Sequence, residues 1–185
     1  MKLVPSLALA ALVFAPSLVL AQTPAPSSAP STNPVSDAIR LGLTRNSKNM
    51  AAAAEAMPAE KYSFKPTADQ STFAHLQFHI ADSNFRFCSA ISGVAVPDLP
   101  KVTDADPKDT LVAHIKASFE FCSSTLAKVD DSKLSDSIPL FPNRSFSRAA
   151  VMFILYGSWA DHYAAQSMYL RLNGVLPPSA QPASH

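Results

Sequence analysis

Glycine is scarce here, four residues in 185, and the four are far apart. A phosphate-cradling loop needs clustered glycines so that backbone N–H groups can close on the anion, so P-loop and dinucleotide fingerprints are absent. No Gly-x-Ser-x-Gly elbow and no His-Glu-x-x-His segment occurs either, which removes two common hydrolase signatures. Cysteine is limited to Cys88 and Cys122. Both fall on apolar stripes, so neither reads as an exposed nucleophile. A charge surplus is lacking too, and the basic residues form no cluster, which argues against nucleic-acid binding because counterion release needs a basic face. Short acidic runs such as Asp104-Ala-Asp106 and Asp130-Asp131 read as solvated loops. Beyond residue 20 no stretch is long and apolar enough to cross a bilayer.

What is present begins with an address. Lys2 precedes an apolar run over 3–20, broken by Pro5, Ser6, Pro16 and Ser17, and Ala21 suits signal peptidase. Residues 1–21 therefore read as a cleaved signal peptide, predicting a periplasmic or secreted protein with no stable membrane anchor after cleavage. Its removal takes Lys2, so the 15 basic residues become 14 and balance the 14 acidic ones. Residues 22–33 are Pro, Ala, Ser and Thr without periodicity, the composition of a flexible tether. A tail over 179–185 reads the same way.

Four helical stretches follow. Val35, Ile39, Leu43, Met50 and Met57 set the first over 34–57, with Asn33 as cap and Pro34 in the first turn. Ser71 is the expected cap of a second, which runs to Ser92 and is stopped by Gly93. Its apolar arc covers more than half the circumference and leaves a narrow stripe of His75, His79, Asp82 and Arg86. The third runs over 108–129 on Leu111, Ile115, Phe119, Cys122 and Leu126. Residues 130–143 read as irregular. The fourth covers 145–173, closed by Gly174 in the left-handed conformation. No segment shows the period-2 alternation of a strand. An all-α four-helix bundle over 34–178 is the expected fold.

The joint between the second and third helices, 93–107, is long. Extended at ~3.3 Å per residue it can return along a ~30 Å helix, so these two helices can run parallel through a crossover. Phe85-Arg-Phe-Cys88-Ser and Phe119-Glu-Phe-Cys122-Ser echo each other. In parallel helices both sulfurs fall at nearly one height, so Cys88 and Cys122 are disulfide candidates in an oxidising compartment, with Arg86 and Glu120 placed to pair on the flank. The other reading is two buried free thiols.

His75 and His79, four apart on one helix face, can reach a shared divalent ion, or can simply be the solvent side of a buried helix. Leu155, Trp159, His162, Gln166 and Tyr169 share one stripe, so His162 points into the bundle, as a core residue or as a ligand meeting a histidine from the second helix.

His79-Ile-Ala-Asp-Ser-Asn-Phe85, Asp161-His162-Tyr163 and Tyr169-Leu-Arg-Leu-Asn-Gly-Val-Leu-Pro-Pro178 resemble the DinB-like superfamily, as does Met57-Pro-Ala-Glu-Lys-Tyr-Ser-Phe-Lys-Pro66. The resemblance spans residues 35–178. It implies a four-helix bundle with the long crossover, members that often form homodimers, and a divalent-metal site of three histidines. His79 matches the ligand on the second helix. His162 matches the second of two on the fourth, spaced His-x-x-x-His. Ser158 stands where the first of that pair belongs, and a hydroxyl is a poor ligand for zinc or nickel. The expected site is thus degenerate, with His75 a substitute ligand. The resulting expectation is an exported binding or accessory domain of unassigned role. The competing one is a metal-dependent enzyme, of thiol-transferase or hydrolase type, using His79 and His162.

Overall fold

The computed structural model describes residues 30–182. The expected signal segment, residues 22–29 of the expected tether, and the last three residues lie outside these.

Helix α1 (Pro34–Ala56) starts where the proline predicts, with Asn33 at the N-cap position. The capping hydrogen bonds come from elsewhere. Asn33 accepts the Asp131 N–H through its side chain at 3.0 Å. The Asp131 carboxylate takes the N–H groups of Val35 and Ser36, each at 2.9 Å, and the Ser36 hydroxyl at 2.6 Å. The orphan donors of the first turn are thus satisfied from a distant loop. Of the acidic pair expected to be solvated, Asp131 is a structural cap and Asp130 serves only the local Ser132 turn.

Helix α2 (Phe73–Ser92) is capped by Thr72, which accepts the His75 N–H at 3.0 Å, not by Ser71 as expected. Ser71 sits one residue too early, and its carbonyl accepts the Tyr169 hydroxyl at 2.7 Å. Gly93, at φ 75°, turns the chain out of the helix. Helix α3 (Lys108–Leu126) stops short of the expected residue 129. Arg40 reaches across from α1 to the free carbonyls there, 3.1 Å from Leu126 and 2.8 Å from Val129.

A hairpin occupies part of the stretch expected to be irregular. Strand β1 (Ser137–Phe141) pairs antiparallel with β2 (Arg144–Ser147), and Ile138 and Leu140 turn into the core while their neighbours face water. The expectation that no strand occurs is overturned. Pro139 and Pro142 masked so short an alternation, and a proline is tolerated in an isolated two-stranded edge. Helix α4 (Arg148–Leu172) consequently begins later than residue 145, with Ser147 accepting the Ala150 N–H at 3.2 Å. It ends as expected at Gly174, φ 72°. The Gly174 N–H donates to Arg171 at 3.1 Å and the Val175 N–H to Leu170 at 2.9 Å, the paired bonds of a Schellman cap.

Helix directions follow from paired residues. Asn84 donates to Ser118 at 3.0 Å, and Cys88 is bonded to Cys122. Both pairs are 34 residues apart, so α2 and α3 advance together and are parallel, joined by the crossover at 93–107. Along α2 and α4 the order reverses: Trp159 donates to Asn84 at 2.8 Å, Gln166 to Gln77 at 2.6 Å, and the Phe73 and Tyr169 rings lie 5.9 Å apart. The bundle is therefore up-down-down-up. Its core divides into a larger cluster around Trp159, Met152, Ile115 and Ile91 and a smaller one around Phe73, Tyr62, Met57 and Leu170. Arg86 does not pair with Glu120; it bonds Asp82 at 3.4 Å and lies over the Phe87 and Phe141 rings.

Two stability outcomes follow. Reducing the Cys88–Cys122 bond, which closes a loop of 34 residues, should lower unfolding stability by about 3–4 kcal/mol in urea titrations. Partial burial pushes the Asp131 carboxyl up, but hydrogen bonds from Ser36 and the Val35 N–H outweigh it and hold the group below the usual carboxylate range. Its stabilisation is present above the unfolded value of ~3.9 and is lost as pH falls through the lower folded value. Asp131→Ala should lower the melting temperature at neutral pH by several degrees and lessen the loss below about pH 4, whereas Asp130→Ala should change little.

Candidate functional site

The antiparallel register of α2 and α4 sets two polar layers across the bundle, Asn84 with Trp159 and Gln77 with Gln166. Between these layers, His79 and His162 meet with ring centres 5.0 Å apart and planes inclined by 28°. Two imidazoles holding one tetrahedral ion through ~2.1 Å bonds place their ring centres ~5 Å apart, so the pair meets the distance condition for a shared ligand. His79 is exposed and His162 half-buried, so the pair opens to solvent on one side. Burial pushes the His79 imidazole below its usual value, the nearby His162, His75 and Arg86 add to the fall, and Asp82 opposes it. The shift favours the neutral form that a metal ligand requires.

The remaining predicted ligands do not join them. His75 lies 6.3 Å from His79 by ring centres, but its Nδ1 is 2.8 Å from the Asp104 carboxylate in the crossover. Ser158 lies one turn before His162 on α4, and the His162 Nδ1 is 2.5 Å from the Ser158 carbonyl and 3.2 Å from its hydroxyl. A carbonyl can only accept, so Nδ1 donates there and Nε2 is the nitrogen left to face a ligand. Among the described residues, no three His, Cys, Asp or Glu side chains come together as a metal cluster. Three histidines would suit zinc or nickel; two with a serine do not complete that set.

Gln166, one turn beyond His162, does not join the histidine pair. It is fully buried, and its Nε2 donates to Gln77 and to the Met50 carbonyl at 3.1 Å. Its Oε1 has no hydrogen-bond partner among the described residues. A carboxamide oxygen is a hard neutral donor, better suited to calcium or magnesium than to zinc or nickel.

The chain matches the DinB superfamily over residues 43–164. It belongs to that superfamily. Among solved structures it is similar to a DinB-like protein from Bacillus subtilis, at TM-score 0.63 and 23% identity, covering 79% of this chain and 99% of that one. A DinB-like protein from Bacillus cereus matches at TM-score 0.62 and 13% identity, over 80% of this chain and 97% of that one. A conserved protein from Enterococcus faecalis matches at 0.59 and 16%, over 75% and 96%. Identities this low carry the fold alone. No curated protein matches the chain.

Within this DinB-type bundle, the sequence reading located His79, His162 and the Ser158 anomaly but missed two partners. Asp104 gave no signal because the contact spans the crossover. Gln77 was hidden in an apolar helix, although Gln166 on the His162 stripe pointed at a buried polar layer. His114, given no role from sequence, lies half-buried between the Phe78 and Phe85 rings, 6.4 and 5.5 Å away.

The electrostatics yield a direct check. In a histidine NMR titration, His79 should ionise below the ~6.5 of a free imidazole. In His162→Ala its midpoint should rise, because a repelling neighbour and part of the burial are removed together.

Proposed function

We propose that this chain is an exported binding or accessory domain of the DinB superfamily whose divalent-metal site is degenerate. The observation that carries the reading is Ser158. It occupies the place of the first α4 histidine implied by the resemblance, and its carbonyl engages the one α4 histidine that remains. With His75 held by Asp104, two imidazoles are left. A catalytic zinc site uses three protein ligands and keeps a fourth position open, so this pair offers a weak foothold for an ion. Export is supported by Lys2, the apolar run behind it and Ala21, and a Cys88–Cys122 bond suits an oxidising compartment.

A second reading, a metal-dependent enzyme using His79 and His162, draws support from the 5.0 Å ring spacing and from the exposure of His79. If an ion were bound there it would supply a Lewis acid, and the chain's own contribution would be the two imidazoles and the Ser158 carbonyl that orients one of them.

Metal analysis and titration calorimetry on the mature protein separate the two. The expected result is no stoichiometric zinc or nickel in wild type. Ser158→His should then gain one equivalent of zinc, with affinity raised by more than the ~10–100-fold controlled by an outer-shell partner. Stoichiometric metal in wild type that is lost in both His79→Ala and His162→Ala would instead establish the second reading.

A further inference from the structure

The crossover at 93–107 stands off the helices it spans. Its extended part, stiffened by Pro97 and Pro100, leaves a cleft of about 490 Å³ against α3 and one of about 440 Å³ against α2. Leu99, Val102 and His114 line both, so His114 stands where the two clefts meet. Ala113 and Ala117 share its stripe on α3 and leave room beside the imidazole. On the α2 side the wall is Phe78 and Phe85, whose ring centres lie 6.4 and 5.5 Å from that of His114. Clefts of this size hold a small organic molecule. Neither His79 nor His162 belongs to their walls.

We infer that this cleft binds an uncharged aromatic alcohol, its ring between the crossover and the Phe78–Phe85 wall and its hydroxyl on the His114 imidazole. His114 supplies the polar half of the site. It is half-buried, and among the described residues neither ring nitrogen has a hydrogen-bond partner. Burial pushes the imidazole below its usual value, with Asp82 opposing. The shift favours the form with one N–H and one lone pair, which a hydroxyl can meet as acceptor or as donor. A ligand hydroxyl would therefore complete a bond that the fold leaves unmade. The apolar half comes from Phe78, Phe85 and the crossover, where Val96 and Leu99 remain 43% and 38% exposed, area that a ring in the cleft would cover. Charged side chains on the rim have both signs: Asp82 bonded to Arg86 at 3.4 Å, with Asp98, Lys101 and Asp109. Three acids against two bases offer no surplus positive charge to an anion. Between Val94 and Thr103, whose N–H groups donate to Ser92 and Asp106, the crossover backbone makes no hydrogen bond among the described residues. A ligand can thus enter without breaking one. The inference goes beyond the reading of the histidine pair and does not depend on it.

p-Cresol titrated into the mature protein should shift the NMR resonances of His114, Ala113 and Leu99 saturably, with a Kd of about 1 mM or tighter, within reach of so small a probe. His114→Phe keeps an aromatic ring but removes both nitrogens, and should weaken p-cresol about tenfold. Ala113→Phe, at an exposed helical position, should fill the cleft and abolish the shifts with helicity unchanged. p-Toluate, of similar shape but negatively charged, should bind more weakly than p-cresol. No saturable shift in wild type would overturn the inference, as would equal affinity in His114→Phe or binding that survives Ala113→Phe. Shifts gathered on another face of the bundle, or p-toluate bound more tightly than p-cresol, would overturn it too. Each of these outcomes leaves the metal titrations at His79 and His162 unaffected, so the two readings fail separately.

Discussion

The parallel run of α2 and α3 is the constraint on which the rest of this bundle depends. Consecutive helices joined by a short turn would be antiparallel. Here residues 93–107 return the chain to the starting end, and Asn84–Ser118 and Cys88–Cys122 repeat the same 34-residue offset one turn apart. With both inner helices pointing one way, α4 can cross α2 antiparallel and still lie parallel to α1. Asn84 then joins three helices at one point, accepting from Trp159 and donating to Ser118. Each such bond adds only ~1 kcal/mol net, but leaving a buried partner unpaired costs ~1–3 kcal/mol, so the layer specifies register more than it adds stability. That register brings His79 level with His162.

The same layers tie α2 to α4 on either side of the histidine pair through direct side-chain hydrogen bonds. Above the pair, Trp159 and Asn84 close the bundle; below it, Gln166 ties α4 to both Gln77 and the Met50 carbonyl. Neither layer uses an ion. Between them His162 is turned back onto the Ser158 carbonyl of its own helix. Among the described residues, the Gln166 Oε1 is the one buried side-chain polar atom without a hydrogen-bond partner.

Much of this was legible from local pattern. The four helices follow from apolar periodicity; joint length and a repeated cysteine context allowed the crossover and the Cys88–Cys122 pairing, and the approach of His79 to His162 was what the family resemblance implied. What escaped was set by contacts distant in sequence. Asp131 caps α1 from 95 residues away, and no local rule assigns a cap to a residue outside its own turn. Asp104 holds His75 across the crossover, and Arg86 chooses Asp82 and the Phe141 ring over Glu120. The hairpin was missed for a different reason. Two alternating apolar residues between prolines are too few to show a period, and their burial depends on the helices they cover.

Helix α4 shows why periodicity alone leaves function open. A helix apolar around most of its circumference does not reveal which stripe meets the core; Trp159 and Gln166 settle that only through their buried hydrogen bonds. His162 lies about 180° around the helix from Phe153, on the side away from the exposed stripe. The exposed stripe around Phe153 and the histidine pair therefore occupy opposite sides of one helix. The two features are separate constraints on one helix. That separation means that a substitution at Ser158 or His162 leaves the exposed stripe around Phe153 untouched, and the reverse.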